Sequence, residues 1–298
     1  MGRWGMVAVL LAVGIGWGST QSLGKIAATA GYPPLGMVFW QLLTCTAVLG
    51  AMTLVRGKGL PTTPRALEFY IVVAVLGTIV PGMTFYISVA RLPAGIMSII
   101  ISTVPMMAFP IGLMLRREVF SWRRLAGLVV GLSGVLIIAL PKASLPDPAM
   151  AAFLPLALIG PLFYALEGSY VARNGTAGMD AVQAMFGASL LGMVLIAPIM
   201  RAMGQGFLIT QLGAPEAALI GSSALHALLY ATFVWLAAHA GAVFATQTGY
   251  IVTVAGLVWA SVLLGEPLSA LVIVAACVML VGVALVQPRR EERIQERV

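Results

Sequence analysis

Nine stretches of this chain run without a single Asp, Glu, Lys or Arg: 4–24, 26–55, 69–90, 92–115, 125–141, 148–166, 181–200, 217–265 and 267–288. Most match the roughly 17 to 25 residues that carry a helix across a hydrocarbon core, and 217–265 is long enough for two, divided by a turn at His239-Ala-Gly. Only helices and closed barrels satisfy their backbone hydrogen bonds inside a bilayer, and barrel strands alternate in polarity over about ten residues. These stretches are apolar on every face, so helices are expected. Composition agrees: 60% of the 298 residues are apolar, 9% are charged and the mean hydropathy is +1.02, whereas soluble domains are about a quarter charged. The pattern predicts an all-α integral membrane protein of ten helices, at 4–27, 34–55, 67–90, 94–115, 122–140, 151–173, 180–202, 215–238, 241–264 and 268–287. The connections are short, so any activity lies within the bilayer. The first helix is too long for a signal peptide and lacks a small-residue cleavage site.

Lys and Arg set the expected orientation, because short cytoplasmic loops carry their excess. With both termini inside, Arg3, Arg56, Lys58, Arg65, Arg116, Arg117, Arg123, Arg124, Arg173, Arg289, Arg290, Arg293 and Arg297 face the cytoplasm. Only Lys25, Arg91, Lys142 and Arg201 face the other way. The net charge of +7 then lies along the membrane surface and calls for no nucleic-acid partner. The tail 289–298 mixes both signs and reads as a solvated cytoplasmic end. Cys45 and Cys277 fall inside apolar helices and read as small buried hydrophobes, so no disulfide, metal site or cofactor is expected. Trp4, Trp40 and Trp122 lie near helix ends and read as interface anchors.

Sliding the chain along itself by 148 residues pairs Glu118 in RREVFS with Glu266 in LGEPLS, and Ser121 with Ser269. The same shift pairs Thr84, Phe85, Ala90 and Ala94 with Thr232, Phe233, Ala238 and Ala242, and sets Lys25 against Arg173. Two five-helix repeats are expected, 1–143 and 144–288. Five is odd, so the second repeat enters the membrane from the opposite side to the first, an inverted plan recurrent among secondary transporters with a central substrate site. The Glu of each Glu-x-x-Ser turn lies between helices, where a carboxylate caps backbone N–H groups and complements the positive end of a helix dipole.

The GWGS run at 16–19, the LPAG start of the fourth helix, the turn RREVFSWRRLAG with GLSGVLI after it, and their echo in LGEPLS and LVGVALV resemble the drug/metabolite transporter superfamily, in its ten-helix EamA-like branch. The resemblance runs from about residue 7 to 287. It implies a basket of ten helices around a central cavity, and export or exchange of amino acids, other metabolites or small toxic compounds. Relatives carry very different molecules, so it implies a mode of action rather than a compound.

One residue stands apart. Glu167, in PLFYALEGSYVAR, lies six residues from Arg173 at the predicted cytoplasmic edge, hence about 9 Å inside it. A carboxylate in hydrocarbon costs several kcal/mol unless solvated, paired or protonated, and such residues usually face a cavity. Phe163, Tyr164 and Tyr170 are expected on its arc, at spacings of three and four. An acid beside ring faces suits an ammonium or other organic cation. Removal from water favours its protonated form, which suits a group that also carries an exchanged proton. A structural acid bonded to His226, Arg173 or backbone is the alternative. Ser222, Ser223, His226 and Tyr230 share a face of the eighth helix, and Thr246, Gln247, Tyr250 and Thr253 make a polar run in the ninth. Ser98 and Ser102 occupy the corresponding fourth helix, where Pro105 and Pro110, with Gly249 and Gly256 in the ninth, mark expected gating bends. Trp17, Ser19 and Gln21 are further substrate contacts to consider.

Rival activities leave different marks. An intramembrane protease wants paired aspartates, a Ser-His pair or HExxH; Asp147 and Asp180 are the only aspartates, both in loops. A pump would show GxxxxGK[ST], and a channel repeated charged or carbonyl-rich filters. An intramembrane enzyme acting on a lipid-linked substrate through Glu167 and His226 stays open as the alternative. The leading expectation is a secondary transporter of the inner membrane, both termini cytoplasmic, whose partners are a small molecule and the lipid bilayer, with protons as the candidate coupling ion.

Overall fold

The computed structural model describes residues 3–116, 118–139, 145, 147–240, 242–245 and 247–286. Lys142, Thr246 and the tail 289–298 lie outside the described residues. Every regular element among them is helical: α1 (Arg3–Ala28), α2 (Pro34–Val55), α3 (Pro64–Ala74), α4 (Val80–Arg91), α5 (Ala94–Ile101), α6 (Val104–Met114), α7 (Trp122–Ala139), α8 (Leu154–Asn174), α9 (Ala181–Ala202), α10 (Ala214–Ala240), α11 (Ala242–Ala245), α12 (Thr248–Leu264) and α13 (Ala270–Val286). A π-helical segment, Val75–Ile79, joins α3 to α4, and a 3₁₀ turn, Pro148–Phe153, leads into α8. Taken as continuous runs, α3–α4, α5–α6 and α11–α12 leave ten helical segments, seven of them long and apolar enough to cross a membrane.

The expected boundaries hold to within a few residues, and the departures have local causes. The third segment starts at Pro64 rather than 67, because Thr63 accepts the Ala66 N–H (3.3 Å) as N-cap and Pro64 fills the first turn. Its π turn falls just before Pro81, which offers no N–H to the carbonyl of Gly77 four residues back and crowds it. The fourth segment breaks at Ser102–Thr103, one turn ahead of Pro105, and the ninth breaks where Gln247 caps α12. The tenth begins at Ala270, where Ser269 Oγ accepts the Val272 N–H (3.2 Å).

Small residues bring the helices together. Gly131 of α7 and Gly282 of α13 meet backbone to backbone: a Cβ on Gly282 would lie 2.5 Å from Gly131 Cα. Gly18 of α1 faces Gly256 and Ala255 of α12, and Gly50 of α2 faces Phe186 of α9. In lipid, such close approach supplies the van der Waals contact that stands in for a hydrophobic driving force. α1 packs on α10 and α12, and α8 on α4 and α6, while α2 lies against α9, α5 against α12 and α7 against α13.

Polar staples tie the two ends. At one, Asp180 caps α9 and receives Arg56 (2.9 Å) and Lys58 (2.5 Å), and Arg65 donates to the Asn174 carbonyl (3.0 Å). Burial alone would raise the Asp180 carboxyl; the hydrogen bonds from Lys58, the Gln183 backbone and Arg56, with the Arg56 charge, outweigh it and hold it at about 2. At the other end Tyr32 hydrogen-bonds Glu216 and stacks on Phe207 (4.2 Å between centroids). Trp4 and Trp122 are exposed, as interface anchors would be, but Trp40 donates to the Phe207 carbonyl (3.2 Å) and fastens α2 to the loop after α9. Cys45 is buried, whereas Cys277 is exposed on the outer face of α13, contrary to expectation.

Candidate functional site

Between the two ends lies a cavity of about 410 Å³ lined from α1, α2, the π segment, α4, α5, α6, α8, α9, α10, α12 and α13. Its polarity is lopsided. Glu167 is the one acid in the wall, and neither Lys nor Arg lines it among the described residues. The same wall carries Trp17, Phe85, Tyr86, Tyr164, Tyr230, Phe233 and Tyr250, with His226 as its one imidazole among the described residues. Trp17 packs on Phe233 (5.4 Å) and on His226 (6.1 Å), and His226 on Tyr230 (6.5 Å), so α1 and α10 build one continuous ring wall.

Helical period explains which part of α8 reaches the cavity. Ala157, Gly160, Pro161, Tyr164 and Glu167 recur at three or four and form one stripe. Tyr170 is about 60° further round than Glu167 and leaves the cavity. It meets α3 instead, with its hydroxyl donating to Glu68 Oε1 (3.3 Å) and its ring 6.2 Å from that of Phe69. Phe163, beyond the same edge of the stripe, does not line the cavity either.

Opposite the Glu167 carboxylate is a gap built into the backbone. A Cβ on Gly77 would lie 2.5 Å from Glu167 Cδ and Oε1 and 2.7 Å from Oε2, so the carboxylate rests on the bare backbone of the π segment. π turns are rare and recur at functional sites. Sequence reasoning missed Gly77 and Pro81, as well as Gln41, Phe85 and Tyr86. The signal for the first two is a mid-helix Pro with Gly four residues before it.

The other expected residues divide. Trp17, Gln21, Ser102, Pro105, Ser222, Ser223, His226, Tyr230, Gly249 and Tyr250 line the cavity. Several of the hydroxyls donate to their own helices, Ser102 to Ile99 (2.6 Å) and Ser223 to Leu219 (2.6 Å), which leaves only acceptor lone pairs for a guest. Ser98 does not line it: its hydroxyl donates to the Ala94 carbonyl (3.1 Å) and its side chain abuts Gly256, so that pair packs α5 on α12. Pro110 lies further along α6, away from the wall, and Gln247 sits at the α11–α12 break. Thr246 lies outside the described residues. Gln41 Oε1 accepts the Tyr86 hydroxyl (3.1 Å), which orients its amide. Trp17 Nε1 is buried without a hydrogen-bond partner among the described residues.

Comparison with known proteins agrees with this architecture. A crystal structure 17% identical in sequence superposes with a TM-score of 0.61 over 99% of both chains, and so shares the fold. The uncharacterized inner membrane transporter YedA of Escherichia coli K12 is 26% identical over 135 residues, as is the same protein in strains O6:H1 and O157:H7. That match covers 45% of this chain and 43% of the relative, less than half of either. Residues 3–140 match the model of the EamA-like transporter family. Across that segment, the chain is similar to the EamA-like transporter family.

Proposed function

We propose that the protein is a secondary carrier of the inner membrane that exports or exchanges a small amino-bearing metabolite by alternating access. Its two halves, 1–143 and 144–288, act as inverted repeats. The observation that carries the substrate reading is the charge census of the cavity: one carboxylate, a ring wall and no cationic side chain among the described residues. A cationic guest gains both the charge of Glu167 and the ring faces, whereas an anion would enter with no partner for its charge. Glu167 receives the ammonium, and a proton when no substrate is bound, which would make the cycle an exchange.

The packing pattern supports the repeat reading. A shift of 148 residues carries α1 onto α8, α4 onto α10 and α6 onto α12, so the contacts of α1 with α10 and α12 correspond to those of α8 with α4 and α6. The breaks in α5–α6 and α11–α12 fall in corresponding segments, where discontinuous helices are expected to flank a midplane site. Clustering of Arg56, Lys58 and Arg65 at the Asp180 end supports a cytoplasmic placement of that end and of both termini. The transporter family match favours transport over catalysis on a lipid-linked substrate.

The test is equilibrium binding of three ligands of similar shape to the purified protein: phenyltrimethylammonium, its neutral isostere tert-butylbenzene, and phenylacetate. Saturable binding of the cation alone, lost in Glu167→Gln, is expected. Tighter binding of the anion would overturn the reading.

A further inference from the structure

Two charged side chains outside the cavity do more than finish their own helices. Glu266, in the turn between α12 and α13, does not cap the helix that follows it. Its Oε1 accepts the N–H of Ala94 (2.7 Å) and its Oε2 that of Gly95 (2.9 Å), the first two residues of α5 in the other half of the chain. Lys25, at the end of α1, donates from Nζ to the carbonyls of Ala90 (3.3 Å) and Leu92 (2.9 Å), at the end of α4. The turn 91–93 is thus held from both sides, an ammonium on the negative end of α4 and a carboxylate on the positive end of α5. This clasp lies directly over the cavity. Gly24, next to Lys25, lines the wall, and so does Met97, two residues after Gly95.

The opposite end differs. The shift of 148 residues sets Glu118 against Glu266 and Arg173 against Lys25. Glu118 is ion-paired with Arg124 in its own half and packs on Gly112. Arg173 is exposed and, among the described residues, makes no hydrogen bond or ion pair. Of the two equivalent glutamates, Glu266 therefore bridges the halves while Glu118 stays in its own, and the Asp180 end is tied across the halves by other residues, Arg56, Lys58 and Arg65.

We propose that Glu266, docked on the turn that Lys25 positions, forms a gate latch that closes the cavity at the α4–α5 end, and that transport requires it to release and re-form once per cycle. The inference rests on the alternating-access reading. A latch that merely capped a helix would join residues within one half. Lys25 secures the end of α4 within the first half, whereas the Glu266 bonds to Ala94 and Gly95 join the halves whose relative motion opens the cavity; these charge-assisted bonds are strong enough to bias that equilibrium while the two N–H groups remain easy to rehydrate at the membrane surface.

The test places a reporter cysteine at Met97 in a chain carrying Cys45→Ala and Cys277→Ala, and measures labelling by an impermeant maleimide in intact cells and in inverted vesicles. Glu266→Gln and Lys25→Ala should each raise labelling from the Lys25 end about tenfold and lower it from the Asp180 end. Unchanged rates, or an equal rise from both ends, would overturn the latch. So would loss of the wild-type thermal midpoint in both variants, which would make the pair a structural cap. The carrier reading is read separately in the parent reporter chain: saturating phenyltrimethylammonium should alter labelling there. If it does while the variants do not, the latch fails and the carrier stands; if it does not while the variants do, the gate stands without the proposed substrate class.

Discussion

Replacing Gly77 with alanine tests whether the bare backbone beside Glu167 sets where the charge sits. The added Cβ would lie 2.5 Å from the carboxylate carbon, whereas ordinary contacts begin at 3.4 Å, so the carboxylate must retreat by roughly 1 Å. For an ammonium at ~4 Å and an effective dielectric of ~20, the attraction is ~4.1 kcal/mol and falls to ~3.3 kcal/mol at ~5 Å. The difference of ~0.8 kcal/mol weakens binding about fourfold. The fold should tolerate the change, because alanine gains up to ~1 kcal/mol over glycine in a helix and the displaced atoms end a flexible side chain. Radiolabelled phenyltrimethylammonium binding, measured beside the thermal midpoint, separates the two effects. A Gly77→Ala variant that keeps its midpoint and binds the cation as tightly as wild type would refute the reasoning.

Gly256→Val should cost roughly 1 to 3 kcal/mol of stability, because its Cβ would collide with Ser98 where α5 meets α12; chemical denaturation in a mild detergent reads the loss. Asp180 titrates lower folded than unfolded, so its contribution is complete above pH ~4 and declines as the pH falls toward about 2; Asp180→Asn should remove roughly 1 kcal/mol at neutral pH and flatten that acid dependence. Tyr170→Phe should leave cation binding within twofold of wild type while Tyr164→Ala weakens it several-fold, since only the second lines the cavity. Cysteines at Gly59 and Leu212 should label from opposite sides of the membrane; labelling from the same side would overturn the topology.

Lengths of charge-free chain made ten helices legible, because hydrocarbon thickness fixes how many apolar residues a crossing needs. Glu167 and Tyr164 were legible for a related reason: an ionisable residue in such a stretch wants a cavity, and helical period brings Tyr164 along. Tyr170 shows the limit of that argument. Spacings of three and four define a broad arc, and only the packing of α3 against α8 decides where the cavity ends within it. The π segment was hidden because periodicity reads side chains, while this feature is a backbone response to Pro81 whose use depends on a carboxylate 90 residues away. Glu266 likewise read as a local cap, and only the fold brings α5 to its carboxylate.

The most direct measurement is untargeted mass spectrometry of the medium around cells producing the wild type, an empty vector or Glu167→Gln at matched membrane levels. An amino-bearing compound that accumulates outside with the wild type alone is the predicted result. Equal export by the wild type and Glu167→Gln would contradict it, and would move the substrate site away from the acid on α8.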